Sequence, residues 1–86
     1  PMENADYYNP LRTYMISEVA ELMHCGKDSV TTWMEAGLLR GIKTGKATVI
    51  PSGELQRFQE EYLGQNVCNL KRALDARKAV QGRTQA

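Results

Sequence analysis

Residues 26–37, GKDSVTTWMEAG, constrain this chain more than any other stretch. The segment is bounded by glycines. Within it Val30, Trp33 and Met34 stand at i, i+3 and i+4, so they share one helical face. At ~100° per residue Asp28, Thr32 and Glu35 fall opposite, with Thr31 at the edge of that polar side. The pattern predicts a short amphipathic helix with an apolar back and a small, hydrogen-bonding front. Gly26 can stand at its N-cap, and Gly37 reads as the left-handed residue that ends it. Trp33, on the face of Val30, is expected in the core.

The flanking residues give this helix company. Tyr14, Met15 and Ile16 form an apolar lead-in. Ser17 reads as the N-cap of a first helix of about two turns, with Glu18 in its first turn. Val19, Leu22 and Met23 share a face there, beside the small Ala20. His24, Cys25 and Gly26 allow only a tight turn before the second helix. Two short helices so joined are the sequence form of a helix-turn-helix.

After Gly37 the period changes. Leu38 and Leu39 close the core. Residues 40–43 and 47–50 flank Thr44, Gly45 and Lys46, which predicts a β-hairpin ended by Pro51. Ser52 is expected to cap a third helix, whose Leu55, Phe58, Tyr62 and Leu63 recur on one face until Gly64.

Asn66 offers a cap for a weaker tail helix with a stripe of Val67, Leu70 and Leu74. A short isolated helix is marginal in water, so this one needs a surface, on the domain or on a partner. The expected organisation is a disordered segment 1–13, a globular domain 14–64 and a partly helical basic tail 65–86.

The chain is 86 residues long, one domain with a modest core. No apolar run reaches the ~20 residues of a membrane span, and no segment has the form of a signal peptide. One His and two distant cysteines, Cys25 and Cys68, do not compose a four-ligand zinc site, so no metal or cofactor is expected. The thiols read as reduced and the compartment as cytoplasmic. Pro1 before Met2 reads as a residue left by tag cleavage, with Met2 the expected native start.

Charge is unevenly spread. Glu3 and Asp6 give residues 1–11 a charge of −2. Six basic and seven acidic residues give 12–64 a charge of −1. Lys71, Arg72, Arg77, Lys78 and Arg83 against Asp75 give the tail +4. Such a tail suits nucleic acid or an acidic partner as well as plain solvation.

The run from Ile16 to Phe58 resembles the helix-turn-helix domain of the excisionase family, related to the MerR-type winged fold. The residues that carry the resemblance are Glu18, Val19 and Ala20 in the first helix and Val30 and Trp33 in the second. Gly37, Leu38 and Leu39 follow, then a wing with Gly45 that ends at Ile50 and Pro51, and Leu55 in the last helix. The likeness extends to about Leu63. Met15 stands where the family often has a capping Ser or Thr, and Gly26 where a Ser often caps the recognition helix. That helix carries two acids and no Arg.

The expected fold is therefore mainly α with a small β-hairpin, a winged helix-turn-helix. In such a fold the second helix enters the major groove, whose base edges carry a full donor and acceptor code. Asp28, Thr31, Thr32 and Glu35 are the candidate base readers. Lys27, Ser29, Arg40, Lys43, Thr44 and Lys46 are the candidates for phosphates and the wing.

The resemblance implies a bacterial, nucleoid-associated accessory factor that binds double-stranded DNA and assists an integrase in site-specific recombination. It also implies cooperative binding with further copies of itself. Val67, Leu70, Lys71, Arg72, Leu74, Arg77 and Lys78 would then be the tail's contacts to the recombinase or to DNA. Two other readings stay open, a small MerR-like transcription regulator and a protein-interaction adaptor. The residues hold no catalytic set and no phosphate-cradling glycine loop, so an enzyme is not expected.

Overall fold

The chain condenses around two helices that end in the same way. The computed structural model describes residues 11–85. Its elements are β1 (Thr13–Met15), α1 (Ile16–Leu22), α2 (Lys27–Glu35), β2 (Ile42–Lys43), β3 (Thr48–Pro51), α3 (Ser52–Glu61) and α4 (Leu70–Gln85). The domain is mainly helical, with a three-stranded antiparallel sheet in the order β1-β3-β2.

At the end of α1 the N–H of His24 donates to Glu21 O at 3.2 Å and that of Cys25 to Ala20 O at 2.9 Å. At the end of α2 the N–H of Gly37 donates to Met34 O at 3.1 Å and that of Leu38 to Trp33 O at 2.9 Å. Both are Schellman closures around a residue of positive φ. Gly37 reaches +84° without a Cβ, whereas His24 adopts +56° with one.

The helix starts differ from expectation. Met15, not Ser17, is the N-cap of α1, because Glu18 Oε1 reaches back to accept the Met15 N–H at 2.8 Å. That is the N3 half of a capping box. Pro51, not Ser52, stands at the N-cap of α3. Ser52 is the first helical residue, and its N–H donates to Arg12 O at 2.9 Å. Asn69, not Asn66, caps α4: Asn69 Oδ1 accepts the Arg72 N–H at 2.9 Å. Asn66 Oδ1 is taken by the Cys68 N–H at 3.1 Å, a local turn.

Residues 1–10, most of the segment expected to be disordered, lie outside the described residues. Thr13 is not part of a loose segment, since it begins β1. That strand pairs with β3 in the register Thr13↔Pro51, Tyr14↔Ile50 and Met15↔Val49. The hairpin itself pairs Ile42↔Val49 and Lys43↔Thr48. Its turn is closed by the Thr44 N–H on Ala47 O at 2.9 Å, with Gly45 at φ +104°. Pro51 was expected to end the hairpin. It does so as the last residue of β3, where its ring faces no ladder donor requirement.

Buried residues from every helix and from β3 join in one core. Trp33 is buried, as its shared face with Val30 demands. Its ring lies 4.9 Å from that of Phe58, which lies 5.3 Å from Tyr62. Two expected core residues are outside. Leu22 is exposed at the end of α1, and Leu63 is 81% exposed. Leu63 follows the end of α3, so the helical phase that placed it inward no longer applies.

The globular part was expected to end near residue 64. It does not. Ala73, Ala76 and Val80 of α4 are buried in the same core, at i, i+3 and i+7. The Trp33 Nε1–H donates to Val67 O at 2.9 Å, fixing the lead-in to α4 on the back of α2. Arg77 Nη1 donates to Ala36 O at 3.2 Å and Arg83 Nη2 to Glu61 O at 3.0 Å. Each guanidinium covers a carbonyl near a helix C-terminus that the helix itself leaves open. Leu70 and Leu74, the expected stripe, stay 46% and 41% exposed.

Candidate nucleic-acid interface

The front of α2 is presented because its back is committed. Val30 and Trp33 are buried and Met34 is half-buried, so the rotation of α2 is set. Lys27, Asp28, Thr31 and Glu35 are exposed. Thr32, expected among the base readers, is half-buried, as is Ser29, expected at a phosphate. These two sit on the flank of α2 rather than at its crest. The Thr31 hydroxyl donates to Lys27 O at 3.1 Å, which leaves its oxygen as an acceptor and its methyl free. Gly26 gives α2 no side-chain cap, so the first N–H groups of that helix have no capping side chain.

The hairpin stands clear of the core. Lys43, Thr44, Gly45, Lys46 and Ala47 are all exposed. The Thr44 hydroxyl is occupied by Ala47 O at 3.1 Å, so it serves the turn. Lys27, Lys43 and Lys46 have no ion-pair partner among the described residues. Around α1 and α2, however, the exposed acids Glu18, Glu21, Asp28 and Glu35 outnumber Lys27. An anionic ligand is attracted to the hairpin and repelled by the crest of α2.

Arg40 was grouped with the wing cations and is instead tied to α3. Its N–H donates to Glu54 Oε2 at 2.9 Å, and its Nη2 lies 3.3 Å from Glu54 Oε1. Glu54 also holds Arg57, whose Nη1 reaches Glu61 at 3.0 Å and whose Nη2 donates to Leu38 O at 2.8 Å. The Arg57 hydrogen bond, and then the two from Arg40, lower the Glu54 carboxyl from its ordinary 4.5 to about 2 against the opposing effect of burial. The same contact with Glu54 raises Arg57. This network anchors the base of the hairpin to α3, and the sequence reading missed it. Its signal was available: Glu54, Arg57 and Glu61 stand at i, i+3 and i+7, the spacing of charge pairs along one helix face.

The candidate tail contacts divide. Val67 is half-buried against the core, and Arg77 is held at Ala36. Lys71 is paired with Asp75 at 3.2 Å. Leu70, Arg72, Leu74 and Lys78 remain exposed on the outside of α4.

Cys25 is half-buried and Cys68 exposed, both as free thiols. Among the described residues no group of three or more His, Cys, Asp and Glu is placed to hold a metal ion. No helix among them is long and apolar enough to cross a membrane. No known family model, curated protein or solved structure matches this chain.

Proposed function

We propose that the chain is a winged helix-turn-helix that binds double-stranded DNA, with α2 in the major groove and the β2–β3 hairpin as the wing. The observation that carries this reading is the rotation of α2. Its apolar stripe is spent on the core, which leaves a polar crest beside a hairpin whose Lys43 and Lys46 have no ion-pair partner among the described residues. The major groove accepts a helix of this size, and its donor and acceptor pattern is what short polar side chains can read. Asp28 and Glu35 favour the cytosine amino group, a preference that repels other contacts and so adds selectivity. Lys43 and Lys46 provide the phosphate attraction that the crest lacks.

The finer role is that of an excisionase-type accessory factor. It rests on the resemblance carried by Glu18, Ala20, Val30, Trp33, Gly37 and Pro51. The recombinase would meet the outside of α4, at Leu70, Arg72, Leu74 and Lys78, since Val67 and Arg77 are engaged within the fold. A MerR-like regulator shares the domain, and a protein-interaction adaptor would use the same crest against protein.

A binding selection over random duplexes tests the reading. Asp28→Ala or Glu35→Ala changes which sites are enriched. Lys46→Ala weakens all sites alike and lowers the salt slope by about 0.9. A protein with no salt-dependent duplex affinity is an adaptor. Gel shifts with a recombinase, using a Leu70→Ala, Leu74→Ala double variant, then separate the accessory factor from the regulator.

A further inference from the structure

Behind the end of α2 lies a second, chemically different surface. Gly37, Arg40, Arg57, Glu61, Tyr62, Arg77, Val80 and Gln81 line a cleft of about 520 Å³ between α3, α4 and the start of the hairpin. That volume falls within the range of small-ligand pockets. Three guanidinium groups meet there, and they are not equivalent.

Arg57 is saturated by Glu54, Glu61 and Leu38 O, and Arg40 is turned to Glu54. Arg77 spends only Nη1, on the neutral Ala36 carbonyl, and no carboxylate among the described residues pairs with it. Its guanidinium is fixed over Gly37, where a Cβ would meet Nη1 at 2.9 Å and Cζ at 3.2 Å. The Tyr62 hydroxyl makes no hydrogen bond among the described residues. Tyr62 lines this cleft together with Glu61, Arg57 and Arg77. The Gln81 amide is exposed on the rim.

We propose that this cleft is a carboxylate-binding site, in which Arg77 forms the charged fork and Tyr62 and Gln81 complete the hydrogen bonding. The inference is independent of DNA binding. A guanidinium with its Nε–Nη2 edge left over is matched in shape and charge by a planar carboxylate. Charge favours a monoanionic group. The three arginines face Glu61 on the wall and Glu54 beneath it, leaving one positive charge over. A phosphate dianion would meet Glu61 with its second charge unanswered. The carboxylate can be carried by a free organic acid or by an acidic side chain of a partner protein.

The experiment is a two-dimensional NMR titration of the full chain at constant chloride, following the Arg77 Nε–H and the Gly37 amide. The probes are acetate, inorganic phosphate and an end-blocked glutamate–alanine peptide. Saturable shifts with acetate support the site and assign it to small acids. Saturable shifts with the peptide alone support it and assign it to a protein partner. Tyr62→Phe keeps the ring packed on Phe58, and Gln81→Ala lies on the surface. Each is expected to weaken binding by about ten-fold, the worth of a hydrogen bond to a charged group. The proposal is overturned if phosphate saturates where both carboxylates fail, if no probe saturates, or if neither substitution changes the titration.

Discussion

Helices α2 and α4 lie against the same core and are held there by opposite kinds of residue. The stripe of α2 is Val30, Trp33 and Met34, large side chains that project into the space between elements. The stripe of α4 is Ala73, Ala76 and Val80, small side chains that bring the helix backbone close. Its leucines, Leu70 and Leu74, lie on the flank instead. In α2 the largest apolar residues mark the buried face. In α4 they mark its border, and the face is set by what is small enough to allow contact. Polar atoms follow the same division. The indole N–H of α2 and the guanidinium groups of α4 each end on a carbonyl that would otherwise lack a partner.

The harshest way to break this comparison is to cut the chain after Gly64. If α4 is core, the shortened chain exposes the back of Trp33 and Tyr62 and loses three buried side chains at once. For a domain whose whole stability is ~5–15 kcal/mol, the expected outcome is loss of cooperative melting. A truncated chain that melts like the full one would return α4 to the status of an appendage.

Trp33→Ala comes next, at ~3–5 kcal/mol by chemical denaturation. It should cost folding before it costs any binding.

A pair of substitutions in α4 then sharpens the contrast. Ala73→Leu overfills the interface and is expected to cost ~1–3 kcal/mol. Leu74→Ala removes more apolar surface from the sequence and should change stability by no more than ~0.5 kcal/mol. The opposite ranking in thermal melts would mean that the leucines face the core.

Glu54→Gln tests the anchor between hairpin and α3. Because the folded carboxyl sits near 2 and the unfolded one near 4.5, its contribution is whole above about pH 4.5 and fades as pH falls through about 2. The parent should lose roughly 2 kcal/mol over that interval, reduced from the full linkage value because Arg40 is largely in solvent. Denaturation curves of the variant should be flatter there, and one that keeps the parent's acid limb would exclude Glu54 as its source.

The smallest effect has the opposite sign. His24 adopts a conformation that favours glycine, so His24→Gly should stabilise by up to ~1 kcal/mol in the same melts. No gain would indicate that the imidazole compensates for its strain.

The predictable and unpredictable parts of the fold divide along the same line. The two helices around residue 25, the hairpin and the inward face of Trp33 followed from periodicity, because large apolar residues recur at the helical spacing and glycines mark the turns. The strand β1 did not, since three residues are too few to show a period and its partner lies 36 residues on in the register Tyr14↔Ile50. The docking of α4 was hidden because alanine carries little hydrophobic signal, while Leu70 and Leu74 carry a strong one. At the candidate interface Asp28, Thr31, Glu35, Lys43 and Lys46 are exposed as their spacing implied. Thr32 and Ser29 are half-buried because α2 buries a wider arc than its own apolar residues define. Arg40, Arg77 and Arg83 read as free cations in a string of letters, and only three-dimensional proximity shows the carboxylate or carbonyl that each one meets.

The bond from Trp33 to Val67 spans 34 residues, and that from Arg77 to Ala36 spans 41. Such contacts close late, because the loop entropy comes due before they form. During synthesis at ~5–20 residues per second, α1, α2 and the hairpin emerge several seconds or less before α4 does. In that interval the single tryptophan has no acceptor for its N–H and no α4 beside it. This part of the nascent chain is therefore committed to its folded state only when α4 has left the ribosome, and until then its indole reports an unfinished core.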